Sequence, residues 1–311
     1  FLEKMSPLFL STEDIQIRTI QYKTTIQLHF SRQLAEVNVE ELNRYLKSNA
    51  DDGLVSWNIS EEASNRFDLS HYEIEKKILG LNLMPKRYQR NGNTIQIKQQ
   101  KRLFDSKVAV IGCGGLGGYI IEELARIGVG HIIVIDPDRF EEHNLNRQIF
   151  STTDVLGKLK VKVVKQRIYN INPAVKITSV PIPFSKENGR DLVKGTDAVV
   201  DALDSIKTRF DLSDICHHME IPLVHGSVAG WYGQLAVQFP GEEILHHIYG
   251  DKLKKGVEEE LGNISFAPAV IASLEVAETV KILLNYKSSL KGRILLVDLQ
   301  EMTFTEFSLI E

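Results

Sequence analysis

The feature that most constrains this chain is a short apolar run joined directly to a run of glycines. Val108-Ala109-Val110-Ile111 is followed at once by Gly112-Cys113-Gly114-Gly115-Leu116-Gly117-Gly118. Four consecutive apolar residues fit a strand covered on both faces. Ile120, Ile121, Leu124 and Ala125 then take helical spacing, and Ile132 to Ile135 repeats the strand pattern. Strand, glycine turn, helix and strand in that order imply a parallel sheet with helices packed on both sides. Further strands are expected at Ile177 to Val180, Ala198 to Val200, Pro222 to Val224, Leu235 to Phe239 and Ile294 to Val297. A late helix is expected to begin at Pro268, with Val270, Ile271, Leu274, Ala277, Val280 and Leu284 facing inward. The fold class is therefore α/β, a Rossmann-like and mostly parallel sheet.

The 311 residues exceed one average domain. We divide them into a small α+β unit over 1–84 and the α/β unit over 85–311. Within the first unit, Ile15 to Phe30 alternates as one or two strands, and Val39, Leu42, Tyr45 and Leu46 have helical spacing. A helix is expected over Ser60 to Asn65. Ser70 followed by Glu73 is a capping box, with Ile74, Ile78 and Leu81 down one face of the helix it starts. Lys252 to Glu260 is a charge run that reads as a solvated face or a mobile loop.

A net charge of −4 without a basic stripe argues against a nucleic-acid partner, and no apolar run is long enough to span a membrane or serve as a signal peptide. The expectation is a soluble, cytoplasmic protein with neither nucleic acid nor membrane as partner. Two cysteines, Cys113 and Cys216, suffice for neither a disulfide framework nor a four-thiolate zinc site.

The glycines at 112, 114 and 117 form Gly-x-Gly-x-x-Gly between a strand and a helix. Glycine lets the backbone approach a phosphate, and the helix N-terminus adds N–H donors and a positive dipole end. Asp136 ends the second strand nineteen residues after Gly117, the spacing expected of an acid on a ribose hydroxyl. A dinucleotide dehydrogenase shares that pattern. The polar stretch from Asp136 through Asp138 and Asn144 to Arg147 and Gln148, followed by Lys160, supplies more donors than a nicotinamide needs and suits a triphosphate instead. Gly115 and Asp138 join the candidate nucleotide set. Asp204, in Asp201-Ala202-Leu203-Asp204, either holds magnesium or caps a helix beginning near Ser205.

These spaced motifs, with Thr208-Arg209 and the Pro268 helix, resemble the ThiF/MoeB/HesA family, the adenylating core of the ubiquitin-activating-enzyme superfamily. The resemblance covers residues 86–311. It implies MgATP-dependent adenylation of a terminal carboxylate, with Asp136 on ribose, Asn144, Arg147 and Lys160 on phosphates, and Asp204 on magnesium. Arg87-Tyr88-Gln89-Arg90 is similar to a family motif whose second arginine reaches the partner subunit's ATP, which implies a homodimer with Arg90 acting in trans. The chain departs from many relatives in lacking paired Cys-x-x-Cys motifs. Glu242 to His247 has adjacent histidines, His246 and His247, where cysteines would stand, so no zinc is expected. Cys216 is expected to be buried, and covalent thiol capture of the acyl group is not expected.

The pattern of residues 1–80 resembles the winged-helix-like clamps that take up a leader peptide as an added strand in enzymes of the microcin and pantocin type. Three readings follow. The first is adenylation of a carboxyl or carboxamide on a ribosomally made precursor peptide. The second is adenylation of the C-terminal glycine of a ThiS- or MoaD-like sulfur carrier. The third, a non-catalytic presenting domain, is disfavoured by the intact set of Asp136, Asn144, Arg147, Lys160 and Asp204.

Overall fold

The structure, a computed structural model, describes residues 38–250, 258–288 and 290–309. The strands expected within Ile15 to Phe30, and most of the Lys252 to Glu260 run, lie outside them. The N-terminal unit comprises helix α1 (38–48), strand β1 (Leu54–Val55), α2 (Trp57–Phe67), α3 (His71–Gly80) and strand β2 (Met84–Pro85), which pairs in parallel with β1. Leu42, Leu46, Val55, Ala63, Ile74 and Ile78 make its core. The helix expected over Ser60 to Asn65 starts earlier, because the Ser56 hydroxyl accepts from Ile59 N at 3.4 Å and caps it. The Ser70–Glu73 capping box forms as read, with Ser70 N donating to Glu73 Oε2 at 2.8 Å.

A 3₁₀ turn (Lys86–Asn91) and α4 (Ile97–Asp105) lead into the α/β unit. Its strands are β3 (Lys107–Ile111), β4 (His131–Ile135), β5 (Lys176–Val180), β6 (Ala198–Asp201), β7 (Leu223–Ala229), β8 (Tyr232–Gln238), β9 (Arg293–Asp298) and β10 (Thr303–Ser308). Its helices are α5 (Gly115–Ile127), α6 (Lys160–Ile171), α7 (Gly189–Val193), α8 (Ile206–His218), α9 (Ile244–Tyr249), α10 (Glu258–Leu261) and α11 (Phe266–Leu283). The strands lie in the order β10-β9-β8-β7-β6-β3-β4-β5, parallel from β5 to β7 and antiparallel from β7 to β10. The reversal after β7 is made at Gly230-Trp231, with Gly230 at φ +54°. Edge strand β10 is exposed along its whole length and was not expected from the sequence.

The apolar run of β3 serves two cores, as its composition requires. Val108 and Val110 join α5, α6 and α11 on one face, and Ala109 and Ile111 join α8 on the other. Helix α11 starts at Phe266, two residues before the expected Pro268. Proline in the first turn removes no intrahelical hydrogen bond. Ala277, expected inside, is exposed, whereas Glu275 and Glu278 are buried.

Glu275 is fully buried against the backbone of Gly226 on β7, where an added Cβ would collide with its carboxyl group. Burial, and next the nearby Asp201 carboxylate, hold its pKa well above the ordinary value of 4.5, opposed by Arg209 and the Gly226 backbone. A raised folded-state pKa contributes stability below the unfolded value, and that contribution is lost as pH rises toward the folded value. Glu275→Gln is therefore expected to melt progressively higher relative to wild type as pH rises above about 4.5. Melting curves from pH 4 to 8 would test this, and a constant offset would contradict it.

Candidate functional site

The carboxyl ends of β3, β4 and β6 open onto a cleft of about 350 Å³. Gly112 at the end of β3 has φ +106°, and a Cβ there would strike the carbonyl of Ala202, just after β6. A Cβ on Gly117 would strike the Gly112 carbonyl and lie 3.2 Å from Ala202 Cβ. Only glycine permits β3, α5 and the end of β6 to converge so closely. The convergence brings the N-terminus of α5 to the floor of the cleft, where its N–H groups and positive pole favour an anion.

Gly112, Gly114, Gly115, Asp136, Asp138, Arg147, Lys160 and Asp204 all line this cleft, so the structure gathers most of the candidates from a span of more than ninety residues. Asp136 accepts from Cys113 N at 2.7 Å and from Asp138 N at 2.8 Å, which fixes the glycine turn to the end of β4. Burial pushes its carboxyl up, while Lys160 and those backbone donors pull it back. Lys160, largely buried at the start of α6, pairs with the exposed carboxylate of Asp138 at 3.0 Å. Arg147 Nη1 donates to His143 O at 2.9 Å and Asn146 Oδ1 at 2.8 Å, which turns its guanidinium along the rim. The N-cap of α8 is Ser205, whose hydroxyl accepts from Thr208 N, so the cap role weighed for Asp204 belongs to its neighbour. Asp204 is an exposed carboxylate on the cleft wall. Such a carboxylate fits magnesium, which is commonly held by one or two carboxylates together with substrate phosphates.

Three candidates sit elsewhere. Gly117 lies behind the cleft as a packing glycine. Asn144 is buried, and its Oδ1 accepts from Glu141 N at 2.9 Å, so it orders the 141–148 segment behind Arg147. Arg90 lies at the opposite end of the sheet. Its 3₁₀ turn is anchored by Tyr88, whose hydroxyl donates to Glu75 Oε1 at 2.6 Å and accepts from Asn172 Nδ2 at 2.8 Å. The Tyr88 ring abuts Gly128, just past α5. The 13 residues of α5 separate that point from the glycine turn by about 20 Å. Arg90 therefore does not reach the cleft of its own chain.

Sequence reading singled out neither Gln148 nor Asn263 as cleft residues, though both line it. Gln148 ends the Asn-Leu-Asn-Arg-Gln run, and that position was the available signal. Arg209 carried a motif but no role; it is buried, lies 3.5 Å from Asp201, and lines both this cleft and an adjoining groove of about 520 Å³. A larger cavity of about 900 Å³ runs along α6 beside Lys162 and Arg167 and contains none of the candidate residues. Convergent chemistry, rather than volume, selects the cleft. His246 Nε2 binds Asp214 Oδ1 at 2.8 Å, and the ring stacks on Phe210; His247 Nδ1 binds its own helix at Glu243 O. Among the described residues there is no cluster of three side chains able to hold a metal. Cys113 and Cys216 are both buried, and burial raises both thiol pKa values, which opposes thiolate chemistry.

Residues 88–311 match the model of the ThiF family. The SAMP-activating enzyme E1 of Haloferax volcanii is 34% identical over 66% of this chain and 77% of its own length. The sulfur carrier protein adenylyltransferase of Thermus thermophilus is 33% identical over 67% and 80%. The microcin C7 biosynthetic enzyme MccB, solved in complex with N-formylated MccA, superposes with a TM-score of 0.61 at 20% identity, covering 80% of this chain and 83% of its own. That likeness reaches beyond residues 88–311 into the N-terminal unit, and at this identity it concerns the fold.

The two kinds of glycine should differ sharply on substitution. Gly117→Ala is expected to cost about 2 kcal/mol or more, since backbone must move to admit the methyl group. Gly115→Ala meets Pro268 Cγ at 3.5 Å, Pro268 Cβ at 3.6 Å and Arg147 Cδ at 3.9 Å, all ordinary van der Waals contacts, and should melt close to wild type. Thermal denaturation of both variants would test this; equal losses would contradict it.

Proposed function

Because the chain belongs to the ThiF family and is an ATP-dependent adenylyltransferase, we propose that it activates the C-terminal glycine carboxylate of a small ThiS- or MoaD-like carrier protein. The observation that carries this reading is identity of 33–34%, across the adenylating core, to enzymes named for activating such carriers. In the proposed mechanism the glycine turn and the α5 N-terminus hold phosphates, Arg147 and Lys160 offset their charge, and Asp136 meets the ribose. The carrier's C-terminus enters by the groove that shares Arg209 and Val228 with the cleft. One carboxylate oxygen attacks the α-phosphorus, and pyrophosphate leaves with the electrons of the broken P–O bond. Magnesium bound at Asp204 would neutralise charge developing on that leaving group. The reading includes no structural zinc, since the two cysteines stand apart, in the glycine turn and in α8.

A second reading, adenylation of a ribosomal precursor peptide, is supported by the likeness in fold, over 80% of this chain, to MccB solved in complex with N-formylated MccA. In that reading residues 1–84 hold the leader segment. ATP–pyrophosphate exchange separates the two. A glycine-terminated carrier should stimulate exchange and its amidated form should not; stimulation by a precursor peptide alone would transfer support to the second reading. Asp204→Ala should reduce exchange by about 10²-fold or more, whereas near-normal turnover would remove Asp204 from the mechanism.

We further propose a homodimer in which Arg90 completes the partner's site, supported by its distance from the cleft of its own chain. Arg90→Ala and Asp204→Ala, each inactive alone, should then complement when co-expressed. About half the dimers would be mixed, each with one intact site of two, restoring roughly a quarter of wild-type activity. No recovery would mean that both residues serve one subunit's site.

A further inference from the structure

A chain of buried polar groups lies directly behind the wall shared by the cleft and the groove. Asp201 and His225 are register partners on the parallel strands β6 and β7 and project to the same face. His225 Nδ1 lies 2.7 Å from Asp201 Oδ2, and both residues are almost wholly inaccessible. The other ring nitrogen of His225 lies 3.1 Å from the hydroxyl of Tyr249 at the end of α9. That hydroxyl accepts from Arg209 Nη1 at 3.0 Å and Gln234 Nε2 at 2.9 Å. With these two donors on the phenol oxygen, its own proton points to His225 Nε2 at 3.1 Å in preference to Ser227 Oγ at 3.5 Å, and Gln234 Nε2 lies 3.3 Å from the same ring nitrogen. His225 accordingly carries its proton on Nδ1, donated to the Asp201 carboxylate. Tyr249 lines the groove with Arg209, Gln234 and Ser227, while His225 and Asp201 lie behind it.

Activation of a carboxylate by ATP moves no proton, so this chain of groups has no task in the step proposed above. A neutral nucleophile of the amine class that attacks the carbonyl carbon of the acyl-adenylate must lose a proton. Resting on the adenylation reading, we propose that Tyr249, His225 and Asp201 form a relay that removes this proton. The nucleophile–carbon bond forms, and the carbon–oxygen bond to AMP breaks with its electron pair leaving on the phosphate. Gln234 turns its amide away from the phenol oxygen, the nucleophile's proton passes to the lone pair so freed on Tyr249 Oη, and the phenol's own proton passes to His225 Nε2. The resulting imidazolium is balanced by Asp201. Tyr249 is the group that meets the nucleophile; His225 and Asp201 act through it as positioning residues. Burial favours the neutral imidazole, with Asp201 opposing and Arg209 reinforcing, so the ring rests in the accepting form. The groups facing the imidazole are Asp201 on β6, Arg209 on α8, Tyr249 on α9 and Gln234 on β8. Glu275 of α11 lies on the other side of β7, beyond Gly226.

The test separates the two half-reactions in the full chain. With MgATP and a carrier protein ending in Gly-Gly, pyrophosphate exchange reports activation; added hydroxylamine, which yields the hydroxamate, reports transfer. Tyr249→Phe should slow hydroxamate formation by roughly 10²-fold, the lower range for general-base catalysis, and slow exchange by less than about tenfold. His225→Gln should behave alike. The double variant should be no slower than either single one, because the residues act as one device. Effects that add, or equal losses in exchange and transfer, would show a packing role and overturn the relay, as would unslowed variants. Absence of wild-type exchange would overturn the proposed substrate and this inference with it; wild-type exchange with unslowed variants overturns this inference alone.

Discussion

The structure depends on one backbone contact, the approach of the Gly112 to Gly117 turn to Ala202 at the carboxyl edge of the sheet. A side chain at either glycine would collide with backbone there. The contact is tied on both sides, by Gly112 N to Ile135 O at 2.8 Å and by Ala202 N to Ile111 O at 2.9 Å. Because β3 lies between β4 and β6, the turn holds three strand ends together. It brings the α5 N-terminus, Asp136 and Asp204 into one cleft. A single steric requirement thus creates the cradle proposed for phosphates and sets the distance between it and the acid opposite.

The same geometry divides the molecule into two ends. Helix α6 starts in the cleft at Lys160 and finishes at a knot of buried Asn172, Tyr88 and Glu75, onto which Arg87 closes from the surface. That knot joins the N-terminal unit to the sheet through hydrogen bonds shielded from water, where each group relies on the others for its partner. Arg90 projects from this knot, a helix length from the chemistry. The role proposed for Arg90 requires, at this distance, a two-fold assembly in which the far end of one subunit meets the cleft of the other.

Much of this was legible in the sequence, for identifiable reasons. The run at Val108 to Ile111 had to be a central strand, because an alternating strand would carry polar residues on one face. Asp136, Lys160 and Asp204 were found because each stands at the start or end of an apolar element, and those ends converge in an open parallel sheet. Other features were not legible. Glu275 resembles a surface glutamate, since its burial depends on the absence of a side chain at Gly226, forty-nine residues earlier. The Asp201–His225 pair depends on strand register, which spacing alone does not reveal. Thr303 to Ser308 pairs only along an exposed edge, so its weak alternation lacks the apolar signature of the inner strands. Asn144 was read as a phosphate donor by residue type; the hold of the Glu141 backbone on its Oδ1, which orders the 141–148 segment, depends on a local turn that residue type does not reveal.

In the proposed reaction the acceptor carboxylate attacks the α-phosphorus of ATP, and AMP is later displaced from the carbonyl carbon. An acceptor labelled with ¹⁸O in its terminal carboxylate tests this directly. After one turnover in the presence of hydroxylamine, AMP should carry one labelled oxygen, resolved by ³¹P NMR or mass spectrometry. Label in inorganic phosphate with release of ADP, or AMP free of label, would contradict adenylation of that carboxylate.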